Sequence, residues 1–193
     1  DVYVVVGHLG EMIIDYLEAV HGLGVNVTFI RQRDLLGSGH ALLMVEPEIA
    51  GPFIMFLGDI FIEPANFSLL VEPVKAGACD GVLAVAEEDD TASLQKNFSV
   101  SLNAQGFVTR VVEKPKAAAP GLKGCGVYGF NTAIFAALKR APASSNGEVG
   151  ITDGVQSLIE LGGRVRTARV SRWDMNVTTS EDLTRCDDLL AAG

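Results

Sequence analysis

Two periodicities of apolar residues alternate along this chain, and the alternation limits its fold more than any other feature. Residues 2–7 form a continuous apolar run typical of a buried strand, and residues 11–17 carry apolar side chains at helical spacing. Residues 25–30 again favour a strand, so the start of the chain predicts a β-α-β unit. Parallel strands with helical crossovers occur almost only in sheets covered on both faces, which makes an α/β fold the expected class.

The same pattern continues to the end of the chain. The further predicted helices are 39–45, 66–76, 132–140, 152–161 and one that Thr179 opens as a capping residue. The further predicted strands are 52–57, 81–86, 98–102, 107–112, 126–130 and 165–170. Residues 103–106, Asn-Ala-Gln-Gly, are typical of a hairpin turn, so we expect a small antiparallel insertion in a mixed, mostly parallel central sheet.

Composition and charge exclude several classes of protein. Hydrophobic residues make up 48% of the 193-residue chain and no linker interrupts it, so residues 1–193 are expected to form a single domain. No apolar segment reaches the ~18 residues of a membrane helix. The formal net charge of -9 would repel a nucleic acid backbone. We therefore expect a soluble, cytoplasmic protein that binds neither membrane nor nucleic acid.

The cysteines and the first residue add two expectations. Cys79, Cys125 and Cys186 are far apart and form no Cys-x-x-Cys pair, which argues against structural zinc and a disulfide framework. The chain begins at Asp1 rather than at methionine and enters its first predicted strand at once. The domain is therefore expected to be truncated at its N-terminus.

One candidate metal ligand stands at the end of a predicted strand. The apolar run 52–57 stops at Gly58-Asp59 and then resumes. Ligands of open α/β sheets collect outside the carboxyl ends of the strands, where a carboxylate suits a hard divalent cation. The alternative, a solvated aspartate in a turn, is equally compatible with the spacing.

Two further segments carry residues suited to binding a nucleotide and a phosphate. Gln32 and Gly37 lie in a glycine-rich turn before a predicted helix, where Gln32 offers both a donor and an acceptor to the edge of a base. Glu113 and Lys114 end a predicted strand before Pro115, and alternation along a strand would direct them to opposite sides. Taken singly, the first segment is more typical of an ordinary loop and the second of a charged strand end in water.

The order of the motifs along the chain is more specific than any single motif. This order resembles the order of motifs in the sugar-1-phosphate nucleotidyltransferases. These are the pyrophosphorylases similar to glucose-1-phosphate thymidylyltransferase and uridylyltransferase. The motifs, in chain order, are Gln-x(4)-Gly-x-Gly-His-Ala from residue 32, Gly58-Asp59, Glu113-Lys114-Pro115, Gly-Val-Tyr-Gly-Phe at 126–130, Gly-Glu-x-x-Ile-Thr-Asp at 147–153, and Trp173 followed by Asn-Val-Thr-Thr-Ser-Glu-Asp-Leu at 176–183. The resemblance covers essentially the whole chain.

The resemblance implies a Rossmann-like nucleotide-diphospho-sugar transferase fold of the GT-A type. It also implies that a nucleoside triphosphate, dTTP or UTP, reacts with a sugar 1-phosphate to give NDP-sugar and pyrophosphate with Mg²⁺ as cofactor, and it leaves a homo-oligomer possible. The implied residue roles are base binding for Gln32 and Gly37, nucleotide and metal binding for Asp59, binding of the sugar hydroxyls for Glu113, of the sugar phosphate for Lys114, and of the sugar or its phosphate for Tyr128. Asp59 and Lys114 are the implied catalytic residues.

Two departures from the family pattern bear on activity. The family's Gly-x-Gly-Thr-Arg-x-x-Pro loop, which grips the triphosphate, is not in this sequence, and Asn176 stands where the second metal aspartate is usual. Asp174 is the alternative second ligand, because it would share a face with Asn176 if residues 173–176 are extended. The competing functions are a non-catalytic nucleotide-sugar-binding or regulatory domain and a GT-A-type glycosyltransferase. The absence of an Asp-x-Asp motif at Asp59 counts against the glycosyltransferase.

Overall fold

The computed structural model describes residues 1–20, 24–144 and 147–192, and its elements follow the predicted alternation. The strands are β1 (Val2–Val6), β2 (Val27–Arg31), β3 (Phe53–Phe56), β4 (Ile60–Glu63), β5 (Gly81–Glu88), β6 (Phe98–Leu102), β7 (Val108–Glu113), β8 (Gly121–Phe130), β9 (Val165–Ala168) and β10 (Trp173–Asn176). The helices are α1 (Gly10–Ala19), α2 (Ser38–Leu43), α3 (Ser68–Lys75), α4 (Thr91–Leu94), α5 (Ala133–Leu138), α6 (Ile151–Glu160) and α7 (Ser180–Ala192).

Six of these strands form the central sheet. Its order is β7-β6-β8-β5-β9, with β3 also paired to β8. Two smaller pairs accompany it: β1 with β2, which are parallel, and β4 with β10, which are antiparallel. The predicted α/β class with a mixed sheet is confirmed, as is the antiparallel pairing of β6 with β7.

The expectation of a mostly parallel sheet is wrong for neighbouring strands. Among the described residues, only the pairs β1–β2 and β5–β9 are parallel. The reason is β8, which lies between β3 and β5 and runs against both of them. The β-α-β alternation does give β3, β5 and β9 a common direction, but β8 separates β3 from the other two.

The core lies on both faces of the sheet because successive residues of a strand point to opposite sides. Along β5, Leu83 and Val85 belong to a cluster that includes residues of α5 and α6, whereas Val82 and Ala84 belong to a cluster on the α3 side. Burying each aliphatic side chain of this kind contributes roughly 1.5–3 kcal/mol to stability. The two clusters therefore hold the helices against the sheet and fix where its strand ends lie.

The differences from the predicted elements concern three short elements and one strand that is longer than predicted. β4, β10 and α4 have four residues each, too few for a periodic pattern to show in the sequence. β8 begins at Gly121 rather than at residue 126, because residues 121–123 pair with β5 and residues 122–123 also pair with β6. The longer β8 and the β4–β10 pair shape the site described below.

Two sequence expectations concern membranes and thiols. In the part of the chain that the structure describes, no helix combines the length and the apolar character needed to cross a bilayer. Cys79, Cys125 and Cys186 are buried free thiols.

Candidate active site

A cavity of about 400 Å³ opens where β7 ends, where β8 passes, and where α2 and α6 begin. Of the residues singled out in the sequence, the cavity is lined by Gly37, Glu113, Lys114, Tyr128 and Asn176. These five residues are contributed by four separate segments of the chain. The fold therefore brings together motifs that are far apart in the sequence.

The wall formed by α2 and α6 is held together by backbone contacts. The N–H of Gly39 donates to the carbonyl of Val149 at 2.9 Å, and the N–H of Ile151 donates to Oγ of Ser38 at 3.0 Å. Gly37 has a φ of 93°, and a Cβ on it would lie 2.5 Å from the carbonyl oxygen of Val149. Only glycine satisfies both conditions, so this loop needs Gly37 for its shape.

Gln32 is hydrogen-bonded to this loop and is not among the residues that line the cavity. Its Nε2 donates to the carbonyl of Gly37 at 3.1 Å and lies 2.8 Å from Nδ1 of His40. Nδ1 of His40 can accept this bond only if the ring proton is on Nε2. Both amide hydrogens of Gln32 then have protein partners, which leaves its carbonyl oxygen as the group available to a base.

Glu113 and Lys114 both line the cavity, unlike the opposite sides that strand alternation predicted. The physical reason is that β7 ends at Glu113 and Lys114 has a φ of 43°, in the left-handed region, so the alternation stops there. The N–H of Lys114 donates to the carbonyl of Asn97 at 2.8 Å, which stabilises this turn. Oε2 of Glu113 accepts a hydrogen bond from the hydroxyl of Thr152 at 2.8 Å.

Tyr128 forms the floor of the cavity and is almost fully buried, with 1% of its surface exposed. Its ring stacks between Phe98 and Phe130, at centroid distances of 6.0 and 5.6 Å. Burial, and then the charge of Glu113, raises the pKa of Tyr128 above its ordinary value. The phenol therefore stays protonated and neutral, and it can take part in binding but not as a base.

Asp59 and Asn176 lie at one end of the β4–β10 pair. Asp59 is exposed and lies in the turn between β3 and β4, and its carbonyl accepts a hydrogen bond from the N–H of Val177 at 2.7 Å. Asn176 is directly opposite Ile60, and both of these residues line the cavity. Asp59 itself is not in the cavity lining, but its backbone is held next to the strand end that carries Asn176.

Asp174 is on the same face of β10 as Asn176, because residues 173–176 form an extended strand. Its Oδ2 lies 2.8 Å from Nζ of Lys123 on β8, and the two side chains are 13% and 12% exposed. The carboxylate of Glu88 lies 3.6 Å from the same ammonium group. Asp174 is not among the residues that line the cavity.

The electrostatics of this ion pair follow from burial and charge. Burial acts to lower the pKa of Lys123, but the hydrogen bond and the negative charge of Asp174 outweigh it, and the pKa is raised overall. For Glu88, the hydrogen bond from the Ser93 hydroxyl is the largest cause of a lowered pKa. Lys123 is thus a cation with two acidic neighbours.

Two of the predicted metal ligands, Asp59 and Asn176, offer one carboxylate and one amide oxygen at this strand end. Among the described residues, no group of three or more His, Cys, Asp or Glu is arranged to hold a metal. Mg²⁺ is commonly bound through one or two protein oxygens together with substrate phosphates and waters. The carboxylate of Asp59 and the amide oxygen of Asn176 fit that limited requirement.

Sequence reasoning gave no role to several residues that the structure places at the cavity. Thr152 is 6% exposed and binds Glu113, and Lys96 and Asn97 line the cavity on the side of Lys114. The Gly-Glu-x-x-Ile-Thr-Asp motif at 147–153 was the signal that could have identified Thr152. Lys96 and Asn97 are in an unremarkable stretch before β6 and had no such signal.

Comparison of the sequence with known families gives one match over nearly the full chain. The family is described as nucleotidyl transferase, and its sequence profile matches residues 1–184. A curated UTP–glucose-1-phosphate uridylyltransferase of Haloferax volcanii is 32% identical over 179 residues, which are 93% of this chain and 72% of that protein. A glucose-1-phosphate thymidylyltransferase of Streptomyces griseus is 32% identical over 173 residues, 89% of this chain and 47% of that protein.

Among solved structures, the fold is similar to that of a UDP-glucose pyrophosphorylase crystallised with UDP-glucose. The TM-score is 0.80 and the sequence identity 20%, and the match covers 98% of this chain and 80% of the other. At this identity the likeness supports the fold alone, and it agrees with the Rossmann-like nucleotide-diphospho-sugar transferase fold that the motifs implied.

Proposed function

This chain belongs to the nucleotidyl transferase family, and from that membership we propose that it transfers the nucleotidyl group of dTTP or UTP to a sugar 1-phosphate. An oxygen of the sugar phosphate forms a bond to the α-phosphorus of the triphosphate. The bond between that phosphorus and the oxygen bridging to the β-phosphate breaks, and pyrophosphate leaves with the bonding electrons. The products are NDP-sugar and pyrophosphate.

The observation that carries this proposal is the convergence of the glycine-rich loop, Glu113, Lys114 and Asn176 on one cavity of about 400 Å³. A cavity of this size is within the range of small-molecule sites. The names of the Haloferax and Streptomyces relatives support glucose 1-phosphate as the first acceptor to test and both UTP and dTTP as donors.

Positioning and charge neutralisation account for most of phosphoryl-transfer catalysis, so the roles of the residues are mainly to bind and orient. Lys114 supplies a cation for the phosphate of the sugar 1-phosphate. Glu113, oriented by the hydroxyl of Thr152, accepts hydrogen bonds from sugar hydroxyl groups. Gly37 and the carbonyl oxygen of Gln32 contact the base, for which the imide N–H of uracil or thymine is a suitable donor.

The metal part of the proposal assigns Asp59 as the principal protein ligand of Mg²⁺ and Asn176 as the second. Asn176 is favoured over Asp174 because the carboxylate of Asp174 is already paired with Lys123. When bound, Mg²⁺ neutralises phosphate charge and orients the phosphate oxygens. The cytoplasmic location and a homo-oligomeric state stay predictions.

The test is release of pyrophosphate by the purified chain, with UTP, dTTP, ATP, CTP and GTP each offered with glucose 1-phosphate and with other sugar 1-phosphates. We expect release that requires both substrates and is highest with UTP or dTTP. The rate should be below the ~1–10³ s⁻¹ typical of enzymes, because an amide at Asn176 is a weaker metal ligand than a carboxylate. Release that does not depend on the sugar 1-phosphate would refute the proposed reaction.

A second candidate is a domain that binds nucleotide sugar without turnover. The observation that favours it is the neutral Asn176 beside a single exposed carboxylate, Asp59, which gives the metal few protein ligands. Calorimetry with UDP-glucose and dTDP-glucose distinguishes the two. This second function would be supported if the natural chain binds the nucleotide sugar and if neither the natural chain nor Asn176→Asp releases pyrophosphate.

A further inference from the structure

The β4–β10 pair, which carries Asn176 at its end next to Asp59, has little backbone connection to the central sheet. Among the described residues, β10 pairs only with β4, and neither strand joins the ladder of the six-stranded sheet. Within the described ranges, the turn before β4 is joined to β8 by one backbone bond, from the N–H of Leu57 to the carbonyl of Gly126 at 3.0 Å. Side chains must therefore hold this pair of strands against β8.

The inner face of the pair can be read from its register. Residues directly opposite each other on antiparallel strands point to the same side. Asp174 is opposite Ile62 and Asn176 is opposite Ile60, and both isoleucines pack against the buried cluster on the α3 side of the sheet. Asp174 and Asn176 therefore both face the central sheet.

Lys123 is the charged partner of Asp174 on the facing strand, where the thiol of Cys125 also interacts with Asp174. It lies in the part of β8 that pairs with β5 at Ala86 and with β6 at Ser99, so its backbone is fixed from both sides. Its ammonium group is 2.8 Å from Asp174, and its other neighbour, Glu88, is itself held by the hydroxyl of Ser93 at 2.7 Å. A directional contact of this kind connects β10 to a part of the sheet that is paired on both sides.

We propose that Lys123 and Asp174 are positioning residues for the metal site: their ion pair holds the β4–β10 pair against β8, so that Asn176 and Asp59 face the bound nucleotide. This inference rests on the proposed function. The two isoleucines supply apolar contact that is not directional, whereas the ion pair fixes the position of β10 relative to β8. Asp174 then acts through the strand that it anchors and does not bind the metal itself.

The test compares five variants with the natural chain. Asp174→Asn and Lys123→Met break the pair, and the charge swap Lys123→Asp with Asp174→Lys restores the attraction with the partners exchanged. Lys139→Met is the matched control, because it breaks the exposed pair of Lys139 with Glu46, 2.7 Å long, which is not in the cavity lining. Lys123→Arg keeps the charge and serves if the swapped chain does not fold.

The first readout is the affinity for Mn²⁺ in the presence of UTP, followed by electron paramagnetic resonance. We expect Asp174→Asn to weaken it by about 10- to 100-fold, as the loss of groups that orient metal ligands does elsewhere. The charge swap and Lys123→Arg should have an Mn²⁺ affinity close to that of the natural chain. Lys139→Met should have the same affinity as the natural chain. If Asp174 is instead a ligand, the swap places an ammonium group at the metal, and its affinity falls below that of Asp174→Asn, which overturns the inference. Tighter Mn²⁺ binding by Lys123→Met also overturns it, since a released Asp174 would then be coordinating the ion.

The second readout needs no ligand and separates this inference from the proposed function. Hydrogen exchange of the amides at 59–63 and 173–177 should become faster in Asp174→Asn and Lys123→Met and return towards the natural rate in the swap. Unchanged exchange in both single variants overturns the positioning role. If the natural chain shows no Mn²⁺ binding with either UTP or dTTP, the proposed function fails, and the exchange rates alone decide whether the pair anchors β10.

Discussion

Replacing Gly124 by alanine is the most direct test of how the cavity floor is packed. A Cβ at this position would lie 1.7 Å from Cζ of Phe98 and 2.1 Å from both of its Cε atoms. Carbon atoms in contact are normally about 3.5–4.0 Å apart, so the ring of Phe98 must move by more than a rotamer adjustment allows. Phe98 is 6% exposed and stacks on Tyr128, which leaves it little free space to move into.

The expected cost of Gly124→Ala can be estimated from this geometry. Overpacking of a buried site typically costs about 1–3 kcal/mol, and the short distances here favour the upper part of that range. For a chain of this size each kcal/mol lowers Tm by roughly 2–4 °C, so we expect a loss of about 4–12 °C. Urea unfolding and thermal unfolding measure the two quantities independently.

A double-mutant cycle with Phe98→Leu tests the cause. Leucine does not reach the positions of the Cε and Cζ atoms, so the double variant should be more stable than the sum of the two single effects by about 1–2 kcal/mol. Gly51→Ala is the control, because a Cβ at Gly51 meets no atom within 4 Å. Additive effects of Gly124→Ala and Phe98→Leu would refute the packing that we describe between the two residues.

Three further predictions concern the charged residues. Lys114→Ala and Lys114→Gly should both weaken sugar 1-phosphate binding far more than nucleoside binding in calorimetry, and equal losses for both ligands would place Lys114 outside the phosphate site. Because Lys114 has a positive φ, the free energy of unfolding should be about 1 kcal/mol higher for the glycine variant than for the alanine variant. Asp59→Ala should abolish nucleotide-dependent Mn²⁺ binding and Asn176→Asp should tighten it, as measured by Mn²⁺ titration with UTP present, and unchanged affinity in Asp59→Ala would contradict the metal assignment. The N–H groups of Thr178 and Thr179 donate to Asp182 and hold its pKa below the ordinary value. The stability that Asp182 contributes to α7 is therefore present above the ordinary pKa and is lost as the pH falls through the lowered pKa. Circular dichroism should show a smaller loss of helix below about pH 4 for Asp182→Asn than for the natural chain, and identical acid transitions would show that this cap does not matter.

Local patterns in the sequence were sufficient for most of the elements and for the candidate residues. Apolar periodicity placed β1, α1, β5 and the β6–β7 hairpin within a few residues of their positions, because each of these patterns is contained in one short segment. The order of the six motifs was sufficient to indicate the family, since each motif is also local. Gly37 could be singled out for the same reason, although the sequence did not show that Val149 is what excludes a side chain there.

Only the tertiary structure decided how distant segments of the chain are placed relative to each other. The position of β8 between β3 and β5, which makes most neighbours antiparallel, depends on pairing between strands that no local pattern records. The left-handed turn at Lys114 brings Lys114 and Glu113 to the same cavity, and it is stabilised by a bond to Asn97 in another segment. Asp174 looked like a candidate metal ligand because the sequence could not show that Lys123 lies beside it. A charge on a strand has the same appearance in a sequence whether water, a metal ion or a lysine from another strand neutralises it, and only the packing of β10 against β8 distinguishes these cases.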